Sequence, residues 1–139
     1  LVAQHYGLWA EFRLTLFGAL ISLLSIISPL KIVSPGAVMI AGYASKESVG
    51  KTAIAGPLVN IALSIVSLAL AFVPSGPFFV VAVFSAALNA FIAVFNLVPV
   101  GMLDGLKVLQ WNKLVWSLAF ILTIALLIII FIFYPKILL

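Results

Sequence analysis

Three stretches of this chain, residues 54–73, 78–100 and 114–134, run for about 20 residues each with few polar side chains. At about 1.5 Å per helical residue each reaches about 30 Å, the thickness of the hydrocarbon layer of a bilayer, so the pattern predicts three transmembrane helices. A fourth apolar run, residues 14–30, is shorter, holds Gly18 and four Ser or Thr side chains, and stops at Pro29. It is expected either to span the membrane or to re-enter it, with re-entry favoured. In residues 31–43, KIVSPGAVMIAGY, a Pro-Gly pair at Pro35 and Gly36 separates two arms rich in β-branched and small residues. That arrangement predicts a small β-hairpin or an extended segment. The polar ASKESVGK that follows reads as a soluble loop, and the uncharged PSGP at 74–77 as a tight turn between two helices. The expected fold class is therefore an all-α polytopic membrane protein carrying one short β-hairpin-like segment, in a single membrane-embedded domain whose core is 54–109.

Polar residues inside the spans refine this picture. On a helix, Gly56, Asn60, Ser64 and Ser67 fall at i, i+4, i+8 and i+11, one narrow stripe of small and polar side chains. Ser85, Asn89 and Asn96 in the next span lie on one line in the same way. Helix packing is the ordinary account of such stripes, with small residues permitting close approach and hydroxyls or amides bonding across for about 1 kcal/mol each. Asn60 and Asn96 stand apart because each adjoins a backbone signal. Gly56-Pro57 is expected to open its helix, where a proline lacking N–H costs nothing. Pro99 and Gly101 are expected to interrupt theirs just before Asp104, freeing carbonyls that need partners.

Composition agrees with the pattern: 66% of residues are hydrophobic and 7% charged, which excludes an ordinary soluble domain. Lipid is the implied surrounding. Seven basic against three acidic residues give a net charge of +4, but the basic side chains are dispersed singly between apolar runs and point to no nucleic-acid partner. Without cysteine the chain has no disulfide, thiolate ligand or thiol nucleophile. Lys31, Lys46 and Lys51 precede the first strong span and Lys107 and Lys113 follow the second, while the turn between the two carries no basic residue. The positive-inside rule then predicts that loops 31–53 and 101–113 are cytoplasmic.

Asp104 is the one aspartate in the sequence. A carboxylate at the middle of a membrane helix costs on the order of 2.5–3.5 kcal/mol and is normally kept because it pairs, binds an ion or carries protons. Lys107, three residues on, offers an interfacial ion pair. The residues by themselves leave that pair and a functional carboxylate open as alternatives.

The run NLVPVGMLDG, Asn96 to Gly105, together with AGPLVN, Ala55 to Asn60, resembles the site-2 protease family of intramembrane zinc metalloproteases. It matches the family's Asn-x-x-Pro-(x)4-Asp-Gly signature at Asn96, Pro99, Asp104 and Gly105, and its Ala-Gly-Pro-x-x-Asn start of the preceding helix. The segment PGAV, with Pro35, Gly36, Ala37 and Val38, is similar to the extended stretch that precedes those helices in the family. The resemblance implies an enzyme that cuts transmembrane segments of substrate proteins, with Zn2+ held by Asp104 and by two histidines of an His-Glu-x-x-His helix. A bound metal of that kind lowers the pKa of its water to about 7. By the same resemblance Asn60 and Asn96 orient substrate backbone or a ligand, and the extended segment holds an unwound substrate by strand addition.

The sequence departs from the family in one respect: it holds no HExxH, and its single histidine, His5, has no glutamate beside it. LVAQHYG at the start is similar to the stretch that follows the metal helix in the family. The expectation is an N-terminally truncated chain that carries only the Asp half of the metal site and is inactive alone. His5, at an unassigned position of that stretch, is not expected to be a ligand. Two further functions compete with the protease: a non-catalytic pseudoprotease that binds membrane helices, and a small transporter or channel whose Asp104 and Asn stripes line an ion path. Substrate identity and oligomeric state are not encoded in any motif found.

Overall fold

Ser45 starts the first long helix. Its backbone is extended (φ −69°, ψ 157°) and its hydroxyl accepts the Ser48 N–H at 3.1 Å, capping a helix that runs over Lys46–Leu70. Glu47 lies in the first turn, where a carboxylate complements the exposed N–H groups, and it pairs with Lys51 one turn on at 2.6 Å. The polar ASKESVGK segment is thus largely the first two turns of a helix and not a loop. Gly56 and Pro57 correspondingly fall in the interior, where Pro57 leaves the Ala53 carbonyl without its usual i+4 donor. A cap upstream outweighs the local helix-start signal of Gly-Pro.

The computed structural model describes residues 2–7, 9–14, 36–41, 45–72, 76–101 and 103–138. They fall into two units, Leu1–Ala44 and Ser45–Leu139. The first holds a short helix α1 (Val2–His5) and two strands, β1 (Trp9–Leu14) and β2 (Gly36–Ala41). The strands pair antiparallel, Trp9 opposite Ala41 and Leu14 opposite Gly36. Of the segment expected to be a hairpin or extended, Gly36–Ala41 is a strand, while Pro35 and the arm before it lie outside the described residues. Gly36, Ala37 and Val38 are extended, but their partners are Leu14, Arg13 and Phe12, far upstream. Period-2 patterning marks a strand without naming the strand it pairs with. Leu14 ends β1, and the rest of the fourth apolar segment, with Pro35, lies outside the described residues.

The second unit is built from α2 (Lys46–Leu70), α3 (Gly76–Leu97), α4 (Asp104–Trp111), α5 (Lys113–Phe133) and α6 (Pro135–Leu138). Among the described residues α2, α3 and α5 are long and apolar enough to cross a membrane, as a multi-pass membrane protein requires. α3 presents Ala82, Ala86, Ala90, Ala93 and Leu97 as one buried line, a small-residue seam against which α2 and α5 both pack. Ser64 on α2, fully buried, donates to the Ala86 carbonyl at 2.9 Å, and the Ser67 and Ser85 hydroxyls share a bond at 3.0 Å. Asn89 turns back on its own helix, donating to the Ser85 carbonyl at 2.9 Å. α5 buries Ala119, Thr123, Leu126 and Ile130 along one face, so the last span packs on the core. Large apolar side chains such as Val59, Val66, Phe84, Phe91, Leu118 and Ile121 remain exposed on the outer surface. In water such a surface would aggregate, whereas against lipid it is the expected outer face.

Candidate functional site

The end of α3 explains how the chain presents Asp104. Pro99 has no N–H to continue the helix and biases Val98 away from helical dihedrals, so α3 closes at Leu97 with Val98 bonding back to Phe95 at 3.3 Å. Val100 N–H then bonds the Val98 carbonyl at 2.9 Å around Pro99, and Leu103 N–H bonds the Val100 carbonyl at 3.2 Å. Gly101 sits inside this second turn with φ +60°, a region that glycine enters without the steric cost a side chain would bring. Two tight turns thus reverse the chain within a few residues, and α4 begins at Asp104.

Gly105 fixes how closely α4 returns to α3. A Cβ there would lie 2.1 Å from the Leu97 carbonyl oxygen and 2.7 Å from that of Val98, so only glycine lets the backbones approach this far. Two other contacts anchor the same corner. Trp116 on α5 donates its indole N–H to the Leu97 carbonyl at 2.8 Å while stacking on Phe120 with ring centroids 5.2 Å apart. On the other side of α4, Trp111 packs on Gly50 of α2, where an added Cβ would lie 2.3 Å from the Trp111 Cβ and 2.4 Å from its indole ring. Asn112 both closes α4 and caps α5, its amide oxygen accepting the Leu114 and Val115 N–H groups at 3.0 and 3.1 Å.

Asp104, the first residue of α4, lies where the helix N-terminus favours negative charge. Its Oδ1 accepts from Lys107 Nζ at 2.8 Å, and the carboxylate side chain is 36% exposed. The ion pair expected from the i+3 spacing is therefore formed, and such partly exposed pairs contribute about 0.2–1 kcal/mol.

The two asparagines behave differently from the serines that share their stripes. Asn60 and Asn96 are each half-buried and, among the described residues, neither amide has a hydrogen-bond partner. Ser64, Ser67 and Ser85 are satisfied towards the end where α2 stops, whereas Asn60 is one turn, about 6 Å, from Ser64 in the direction of the end where α3 stops. Asn96 is one residue from that end. Gly56 is exposed, with nothing within 4 Å of where a Cβ would stand. Among the described residues the stripes therefore bond helix to helix in one half and carry unpaired, half-buried amides in the other, towards the Asp104 end.

Sequence patterning missed Trp116 and Gly50, since a tryptophan at the start of a span ordinarily signals only a membrane interface. His5 is exposed in α1 with its ring edge-on to Tyr6 at 5.5 Å, and lies in the other unit. Among the described residues no three His, Cys, Asp or Glu side chains come together. The described residues at this corner thus offer a single carboxylate, fewer donors than a tetrahedral zinc ion takes from protein.

Helix-breaking turns that set a carboxylate at one end of an apolar helical bundle define the class of this molecule: a membrane-type helical protein with a polar corner. A relative from Methanocaldococcus jannaschii, whose name reads "Putative zinc metalloprotease", is 39% identical over 121 residues, covering 84% of this chain. The chain spans 63% of the length of that relative. No family model matches the sequence. No solved structure matches it either.

Proposed function

We propose that this chain is the carboxylate-bearing core of an intramembrane zinc metalloendopeptidase of the site-2 protease type, acting on transmembrane segments of substrate proteins within the lipid bilayer. The observation that carries the reading is the Asp104 corner. Pro99, Gly101 and Gly105 cooperate to place one carboxylate at the end of an apolar bundle, the end towards which lie two amides that have no hydrogen-bond partner among the described residues. An exposed ion pair worth about 0.2–1 kcal/mol does not by itself account for a corner built this closely around one carboxylate. The 39% identity to a protein named for zinc and proteolysis supports the same conclusion. Zinc would supply a Lewis acid; Asp104 is the residue here suited to hold it, and a histidine pair would come from polypeptide other than these 139 residues.

The chain's own residues have definite tasks in this reading. Asn60 and Asn96 carry donors and acceptors able to bond an unwound substrate backbone, whose N–H and C=O groups need partners away from water. Within the first unit, the described strands pair only with each other, and an extended segment can add to an outer edge of that ribbon. Residues 31–53 and 101–113 face the cytoplasm.

The test is zinc content and cleavage of a single-span helical reporter by the natural gene product that carries this sequence, with and without Asp104→Ala. Loss of both on substitution is expected; retention of both overturns the proposal. These 139 residues by themselves are expected to bind no zinc stoichiometrically and to cleave nothing. The Asp104–Lys107 pair favours a second reading, a non-catalytic relative that holds membrane helices, which predicts reporter binding without cleavage.

A further inference from the structure

We propose that Trp116, on the C-terminal span, is a positioning residue for the Asp104 carboxylate, acting through the Leu97 carbonyl and Gly105; this rests on the reading of Asp104 as a functional carboxylate. Leu97 is fully buried at the end of α3, where carbonyls run out of i+4 donors. The indole N–H of Trp116 supplies a donor to that carbonyl at 2.8 Å from 19 residues away. The direction of the Leu97 carbonyl matters because the α4 backbone rests on it. A Cβ on Gly105 would be 2.3 Å from the Leu97 carbonyl carbon, so the two backbones are in contact with no side chain between them. Asp104 is covalently next to Gly105, and its Cα can move little unless that contact opens.

Removing the indole donor leaves a buried carbonyl without its bond, which favours rotation of the Leu97–Val98 peptide toward another donor. Any such rotation pushes on Gly105 and carries Asp104 with it. Phe120, stacked on the indole with ring planes 13° apart, holds the ring in the orientation that makes the bond. α5 is thereby a part of the corner and not only an apolar wall. A displacement of about 1 Å at a reacting group can cost on the order of 100-fold in rate, whereas substrate binding along the asparagine-bearing stripes would be unaffected.

The experiment compares Trp116→Phe, which keeps an aromatic ring and loses the N–H, with the unsubstituted gene product and with Asp104→Ala. A single-span helical reporter gives kcat and KM, and amide hydrogen exchange follows residues 97–107. Trp116→Phe is expected to lower kcat about 10- to 100-fold with KM unchanged and to speed exchange at Val98 and Gly105 while mid-span amides of α3 keep their protection. Replacement of Trp116 by its benzothiophene analogue, which conserves shape but lacks the N–H, should reproduce both effects. Unchanged kcat and exchange in either variant, with Asp104→Ala inactive, overturns the role of Trp116 alone. A uniform loss of protection along α3 in both variants overturns it as well, since the tryptophan would then be a general packing residue. Absence of cleavage by the unsubstituted protein, or full cleavage by Asp104→Ala, overturns the protease reading and this inference with it.

Discussion

Glycines at three positions of the same bundle should respond in opposite ways to one added methyl group. Gly105→Ala would drive its Cβ into the Leu97 and Val98 carbonyl groups, which as backbone cannot yield cheaply. We expect a loss of about 1–3 kcal/mol, read as a lowered thermal midpoint in detergent. Gly50→Ala meets the Trp111 Cβ and ring instead and should also destabilise, because turning the ring leaves the Cβ in place and the two helices must shift apart. Gly56→Ala meets nothing, and because it removes a flexible residue from a helix interior it should stabilise by about 0.5–1 kcal/mol. A Gly56 variant that is more stable but defective in cleavage would place that glycine's role in contact with substrate; one destabilised by 1 kcal/mol or more would show that packing was misjudged. Asp104→Asn is expected to cost no more than about 1 kcal/mol in stability, because the Lys107 pair is partly exposed. Its effect on activity should therefore be separable from its effect on folding.

At the scale of elements, what could be read in the sequence depended on how local the cause was. The three spans were legible because a run of apolar residues fixes both helix length and burial; observed bounds differ by a few residues, except at the start of α2. There the Ser45 cap and the Glu47–Lys51 pair extend the helix through residues whose polarity alone had suggested a loop. The Asp104 corner was legible as well, since Pro99 and Gly101 act on the backbone next to them. The partner of β2 and the Trp116 bond were not, because each joins segments many residues apart and no periodicity encodes such a pairing. The serine contacts occupy a middle position: the stripes announced a polar interface, and the structure specifies Ser64 to Ala86 and Ser67 to Ser85. A double-mutant cycle on Ser67→Ala and Ser85→Ala should give a coupling near 0.6 kcal/mol; a value indistinguishable from zero would mean that the two hydroxyls do not bond in the membrane.

For the molecule as a whole, the two crossings α2 and α3 require that positions before and after them face the same compartment. Cysteine placed at exposed Ser45 and at exposed Asn112 should therefore react with an impermeant thiol reagent from one side, the cytoplasmic side if the basic residues govern orientation. Reaction of both from the outer face would reverse the orientation, and reaction from opposite faces would show that one of the two helices does not cross.

The register of β1 with β2 has a thermodynamic side. Among the described residues the ribbon has two strands, and a two-stranded ribbon by itself is marginally stable in water. An extended peptide that adds as a third strand binds the paired ribbon and not the open chain, so mass action makes occupancy and pairing mutually reinforcing. If the ribbon takes an unwound substrate as proposed, its amides should exchange slowly when an unwound segment is present and faster when only helical segments are offered.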